Sequence, residues 1–228
     1  MKILFVYTDI NTMGLGARSY HFGIGILSAV LKQQGHKTNL FYTQNESKLF
    51  QLSSKIQTFQ PEIIGFTSDT TQFPYIKKII SKLKPLQIFT ILGGCHASLS
   101  PDSLAEIDGL NAICIGEGEN TLCELVQALE HNQDIQHIRG LWYKTEKGEI
   151  IKNATRPFIS NLDLLPFSDY ELFDYQKIID SDYGRLSFML SRGCPFGCTY
   201  CSSPMMGKIQ EGTYVRFMSV DRAIDELK

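Results

Sequence analysis

The chain has 228 residues, 43% of them hydrophobic and 20% charged, with a formal net charge of −2 at pH 7. That is the composition of a folded chain with a buried core, and it excludes a collagenous, disordered or disulfide-dense class. Near-neutral charge leaves no electrostatic footprint for nucleic acid or an anionic membrane surface, and no run approaches the roughly 20 apolar residues of a membrane span.

The opening, Met1-Lys2-Ile3-Leu4-Phe5-Val6-Tyr7-Thr8-Asp9, is a short apolar run stopped by an acid. It reads as a first strand rather than a signal peptide, and the expected location is cytoplasmic. Further short apolar runs follow at 38–42, 63–67, 88–92 and 112–115, the pattern of strands covered on both faces. Helical stripes lie between and after them: Tyr75, Ile76, Ile79, Ile80 and Leu83 form one, and Leu122, Leu125, Val126 and Leu129 form another, with Glu119 near its start. The alternation predicts an α/β fold, a Rossmann-like doubly wound sheet of five parallel strands.

In such sheets a ligand sits beyond the carboxyl ends of the strands, at the point where strand order reverses. Those ends are rich in small and polar residues. Thr12, Met13, Gly14, Leu15 and Gly16 follow the first strand, Ser68, Asp69 and Thr70 the third, Gly93, Gly94, His96 and Ala97 the fourth, and Gly116, Glu117 and Gly118 the fifth. A dinucleotide fits poorly: the third glycine of its fingerprint falls at Ser19, and Asn39, Phe41 and Tyr42 stand where an acid would hold the ribose. Glu117 and Glu119 are read as loop-shaping and helix-dipole residues before acid–base catalysts. His21 fits helix-start packing better than metal ligation, and His36, His131 and His137 near helix ends or loops are expected to be solvated.

Beyond a hairpin pattern (140–152) and a linker (161–169) comes Cys194-Pro195-Phe196-Gly197-Cys198-Thr199-Tyr200-Cys201. Three thiols this close can hold one metal centre and leave it one ligand short. A closed zinc site needs a fourth Cys or His; none follows Cys201, and the nearest upstream candidate is His137. A four-iron cluster on three cysteines keeps one iron open. Residues 186–190 read as a short buried strand before the loop, and 220–227 as a helix after it with Ser219 as N-cap. Strand, loop and helix make one unit of a β/α barrel, which takes about 250 residues when complete. The expectation is therefore an incomplete barrel, from a truncated chain or one completed by another chain. Cys95, Cys114 and Cys123 are expected to be packing thiols.

The cysteine spacing, with Ser191-Arg192-Gly193 before it and Ser202-Ser203-Pro204 after it, resembles that of the radical S-adenosylmethionine (SAM) enzymes. The earlier loops, in this order ahead of the cysteines, look like the cobalamin-binding domain that precedes the barrel in one large class of that family. The resemblance departs at Cys95, where the class commonly has Pro, and in lacking the Asp-x-His-x-x-Gly signature of base-off cobalamin binding. It implies a 4Fe–4S cluster on Cys194, Cys198 and Cys201, SAM beside Tyr200, and cobalamin held by Thr12, Met13, Gly14, Leu15, Gly16, Ser68, Asp69, Thr70, Gly93, Gly94, His96, Ala97, Gly116, Glu117 and Gly118. It implies domains at 1–135 (cobalamin), 136–180 (hairpin and linker) and 181–228 (start of the barrel). The implied activity is reductive SAM cleavage with methyl transfer to, or cyclisation or oxidation of, an unactivated carbon. The implied partners are an electron donor such as flavodoxin or ferredoxin and an unidentified small-molecule or peptide substrate. A non-catalytic cobalamin carrier or sensor, or one half of a two-chain enzyme, are the alternatives; the related methylthiotransferases fit less well, because Cys95, Cys114 and Cys123 lie in the wrong contexts.

Overall fold

The computed structural model describes residues 1–10, 19–185 and 187–228. The elements in chain order are β1 (Lys2–Thr8), α1 (Phe22–Gln33), β2 (Lys37–Thr43), α2 (Gln51–Phe59), β3 (Ile63–Thr67), α3 (Phe73–Leu83), β4 (Phe89–Gly93), α4 (Cys95–Leu99), α5 (Ser103–Glu106), β5 (Ala112–Cys114) and α6 (Glu119–Glu130). Then come β6 (Leu141–Lys144), β7 (Ile150–Lys152), α7 (Tyr175–Ser181), β8 (Ser191–Arg192), α8 (Ser203–Met206), β9 (Arg216–Phe217) and α9 (Val220–Glu226).

The main sheet has strand order β2-β1-β3-β4-β5-β6-β7. The first five pair in parallel, and the β6–β7 hairpin joins β5 antiparallel. The five expected parallel strands are present, and the hairpin extends their sheet instead of standing apart. Reversal of strand order at β1 puts the crevice beyond the carboxyl ends of β1 and β3.

Side-chain alternation along β1 divides the core. Ile3, Phe5 and Tyr7 face a cluster with Ile24 and Leu31 of α1 and Leu122, Leu125 and Val126 of α6. Leu4 and Val6 face the other side, with Leu52 and Ile56 of α2 and Ile76, Ile79 and Ile80 of α3. The α3 stripe buries as its periodicity predicts, held at its start by Pro74 in the first turn. Cys114 is buried and Cys123 half-buried; burial pushes their thiols up to about 12 and about 11, which keeps them protonated and inert. Cys95 is exposed. His36 departs from expectation. It is buried against the Met1 ammonium, at 3.1 Å, because β2 starts beside the first residue of β1.

The linker crosses back over α1 and packs on the face of β2 that carries Leu40 and Tyr42. Asp169 donates its N–H to the Gly25 carbonyl (3.1 Å) and its carboxylate pairs with Lys32 (2.7 Å) and accepts from Ser28. Phe173 and Ile178 enter the same cluster as Leu40, and the Phe173 ring lies 4.6 Å from that of Tyr20.

The last segment is attached differently. Residues 187–190 form no strand and are exposed or half-buried, so the buried strand expected at 186–190 is corrected for these four; Leu186 lies outside the described residues. Ladder pairing begins only where Leu190 accepts from Met218 (2.9 Å) and continues through β8 and β9; without a neighbour the preceding residues have nothing to pair with. The expected helix is α9, capped by Ser219, whose hydroxyl accepts from the Arg222 N–H. Among the described residues no helix is long and apolar enough to cross a membrane.

Ile64 lies at the centre of the sheet, fully buried. Ile64→Ala should lower unfolding free energy by about 2–5 kcal/mol, read as a lower urea midpoint at unchanged slope.

Candidate functional site

Two carboxyl-end loops, after β3 and β4, meet beside the crevice. The β3 loop is built on Asp69, whose Oδ1 accepts from the Gln72 N–H (2.8 Å) and the Thr71 hydroxyl (2.7 Å). That local cap turns the chain into α3. The β4 loop presses on it: His96 N–H donates to the Ser68 carbonyl (3.1 Å), and the ring stacks on Phe73 at 3.9 Å with Nδ1 3.2 Å from the Thr70 hydroxyl. Gly94 makes this approach possible. Its φ is +93°, and a Cβ there would lie 2.7 Å from the Ser68 carbonyl oxygen and from Thr67 Oγ1.

Among the described residues, buried polar atoms without a partner occur on this edge at Thr8 Oγ1, Ser68 Oγ and His96 Nε2, and elsewhere on α5, α6 and α9. Val6 is in register with Phe66, so Thr8 and Ser68 stand level at the ends of neighbouring strands. Unpaired buried polar atoms are costly, and this group suits a ligand carrying amides. Beside them Asp9 accepts from Tyr42 (2.7 Å), Ser19 (2.9 Å), Gln44 (3.2 Å) and Tyr7 (3.3 Å). Burial, reinforced by Asp9, pushes the Tyr7 phenol up to about 12 and Tyr42 higher still. Sequence reasoning missed this cluster; its signal is Tyr7 and Tyr42 at strand ends next to an acid.

The other expected site residues fall as follows. Thr12, Met13, Gly14, Leu15 and Gly16 lie outside the described residues. Gly93 ends β4, while Ala97 is fully buried and packs in the core. Gly116 lies against the Gln210 side chain, and Gly118 against Leu27 ahead of α6. Glu117 points at charge: its carboxylate accepts from Arg192 (2.9 Å), twice from Arg216 (2.8 and 2.9 Å) and from the Ile159 N–H (2.7 Å). Burial opposes ionisation there, but these donors outweigh it and the carboxyl sits below its ordinary range. Glu119 pairs with Arg192 at 2.5 Å.

His21 is the N-cap of α1. Nδ1 accepts from the Ile24 N–H (3.2 Å) and Nε2 lies 3.3 Å from the Thr67 hydroxyl, so both ring nitrogens serve the fold.

In the three-cysteine loop, Cys194 and Cys198 are half-buried, Cys201 is exposed, and all three are free thiols. Cys201 N–H donates to the Cys198 carbonyl (3.2 Å), and its sulfur accepts from the Ser203 N–H (3.4 Å). Gly193 has φ +86°, and a Cβ there would lie 2.2 Å from the Tyr214 carbonyl oxygen. Among the described residues no three His, Cys, Asp or Glu side chains are drawn together as a metal site. The donor set itself, three accessible thiols on one short loop, fits an iron–sulfur cluster. Tyr200 and Phe196 are largely exposed beside it.

Residues 12–126 match the B12 binding domain family. Over its whole length the chain is 32% identical to an uncharacterized methyltransferase of Pyrococcus horikoshii, spanning 50% of that protein. It is 27% identical to an anaerobic magnesium-protoporphyrin IX monomethyl ester cyclase of Rubrivivax gelatinosus, covering 89% of this chain and 38% of the cyclase. The chain thus spans half or less of these relatives. The fold matches the cobalamin-dependent S-adenosylmethionine radical enzyme OxsB, solved with aqua-cobalamin and S-adenosylmethionine bound, at TM-score 0.76 and 23% identity, over 99% of this chain and 31% of that one. It also matches the radical S-adenosylmethionine methyltransferase TsrM of Kitasatospora setae at TM-score 0.74 and 19% identity, over 99% and 44%.

Two outcomes test the geometry. Gly94→Ala should lose about 1–3 kcal/mol from strained backbone, more if Ser68 cannot yield, measured by thermal denaturation. Burial lowers the His21 pKa from its ordinary 6.5, so the neutral ring is the native form. Its contribution is complete above pH 6.5 and lost as pH falls through the lower folded value. His36 and His96 are lowered in the same direction. His21→Asn keeps a cap and should flatten part of the stability loss below pH 6.5.

Proposed function

The chain belongs to the B12 binding domain family, and we propose that it forms the cofactor-binding N-terminal part of a cobalamin-dependent radical SAM enzyme. The reaction class is methyl transfer to, or cyclisation or oxidation of, an unactivated carbon. The observation that carries this reading is the three-cysteine loop strapped directly onto the polar carboxyl edge of a B12-type sheet, through Arg192 to Glu117 and Glu119.

Cys194, Cys198 and Cys201 would hold a 4Fe–4S cluster, and the edge formed by Ser68, Asp69, Thr70, Gly93, Gly94, His96, Gly116 and Gly118 would hold cobalamin. Bound there, these groups supply reductive SAM cleavage and a methyl donor or redox partner. The protein's own part is positional. Ser68 Oγ, Thr8 Oγ1 and His96 Nε2 have capacity for a corrin's amide side chains, and Gly94 removes the Cβ that would keep β4 away from β3. Phe73 holds the His96 ring in place by stacking. Tyr200, largely exposed beside Cys201, would cover the adenine of SAM. His21 is occupied as a helix cap, which leaves it no free nitrogen for cobalt. The near-neutral chain, with no apolar span among its described helices, suits a cytoplasmic enzyme served by a flavodoxin- or ferredoxin-type donor.

Anaerobic reconstitution with iron and sulfide should give about four irons per chain, and hydroxocobalamin should stay bound through desalting. Cys198→Ala should abolish the iron chromophore and leave corrinoid retention intact. Purified protein that carries zinc in place of iron, or releases corrinoid on desalting, would contradict the assignment.

A further inference from the structure

One set of side chains joins the loops given above to two different cofactors. Gly116 N–H donates to Ser98 of α4 (2.9 Å), and Glu117 N–H donates to Gln210 Oε1 (2.9 Å). The Glu117 carboxylate bridges Arg192 and Arg216, which face each other in the β8–β9 register. Arg192 also reaches Glu119, the first residue of α6. Arg216 further donates to the Ile159 carbonyl (2.7 Å). The four charged side chains are only 5–13% exposed and sum to zero charge. One residue, Gly193, separates Arg192 from Cys194, and Gly193 is locked against Tyr214.

We propose that Glu117, Glu119, Arg192 and Arg216 are positioning residues that hold the cysteine loop at a fixed place on the sheet's carboxyl edge, with Glu117 serving that loop and not a corrin. The electrostatic half of the proposal rests on the cysteines being cluster ligands; the mechanical half does not. Buried ion sets punish removal of one member, because the remaining charge is left without its partner. Neutralising Glu117 leaves surplus positive charge beside the loop, whereas neutralising Arg216 leaves surplus negative charge. Reduction adds an electron to a cluster, and local charge shifts its potential accordingly. The two variants should therefore move the potential in opposite directions, which loosening alone would not do.

The test uses the whole chain with Glu117→Gln, Arg216→Met and the milder Glu117→Asp, which keeps the charge if the others fold poorly. In reduced, metal-free protein, iodoacetamide labelling of Cys194 is followed by peptide mass spectrometry. Glu117→Gln and Arg216→Met should label severalfold faster than the parent, and Glu117→Asp in between. In reconstituted protein, potentiometric titration followed by electron paramagnetic resonance should show the midpoint rise in Glu117→Gln, fall in Arg216→Met, and stay near the parent in Glu117→Asp. Equal labelling rates overturn the positioning role whether or not iron binds. Shifts of one sign in both charge variants overturn the electrostatic role. Faster labelling in a chain that takes up no iron upholds the strap and defeats the cluster assignment instead.

Discussion

A buried charge quartet ties the cysteine loop to the sheet, with Arg192 and Arg216 on one side and Glu117 and Glu119 on the other. Past residue 181, the buried side chains among the described residues are Gln210 and Arg216, both polar. The apolar side chains described there are half-buried or exposed: Ile209 and Met218 pack against core clusters, while Phe196, Phe217 and Val220 are exposed. A burial-driven contact tolerates sliding, because apolar attraction has no direction. A guanidinium seated on a carboxylate through two parallel hydrogen bonds does not, since each bond fixes an angle as well as a distance. Arg216 makes such a pair with Glu117 and also lies over the Phe158 ring at 4.8 Å.

The sheet supplies the rigid side of that arrangement. Its central strands are buried on both faces, so β1, β3 and β4 cannot shift without opening two cores at once. Their carboxyl ends carry short polar residues where the interior runs out: Thr8, Ser68, Gly94, His96. Loop-to-loop contacts there are backbone-close, and Gly94 is the residue that allows it. The Asp9 cluster adds a second rigid point, with phenols from β1 and β2 held by one carboxylate.

Much of this was legible from sequence because the signals were local. Five apolar runs gave five parallel strands, the Ile76–Ile80 stripe gave a buried helix face, and Ser219 gave a cap. The Cys194-to-Cys201 spacing is a local signal too, read with no need of tertiary contacts. What escaped depended on partners far along the chain. Glu117 read as one more residue of a glycine loop; its true neighbours, Arg192 and Arg216, lie beyond the hairpin and linker. Residues 187–190 had the composition of a strand but no flanking strand among the described residues, and composition does not supply a neighbour. His36 had the look of a loop histidine until the pairing of β1 with β2 enclosed it.

The path of the linker has its own outcome. At the outer side of the sheet, β2 is paired with β1. Phe173 and Ile178 pack with Leu40 on one face of that strand, and Asp169 is pinned to α1 through Gly25, Ser28 and Lys32. The segment that merely joins the two halves of the chain thereby also clips α1 to the outermost parallel strand, and that end of the sheet cannot open until the clip lifts.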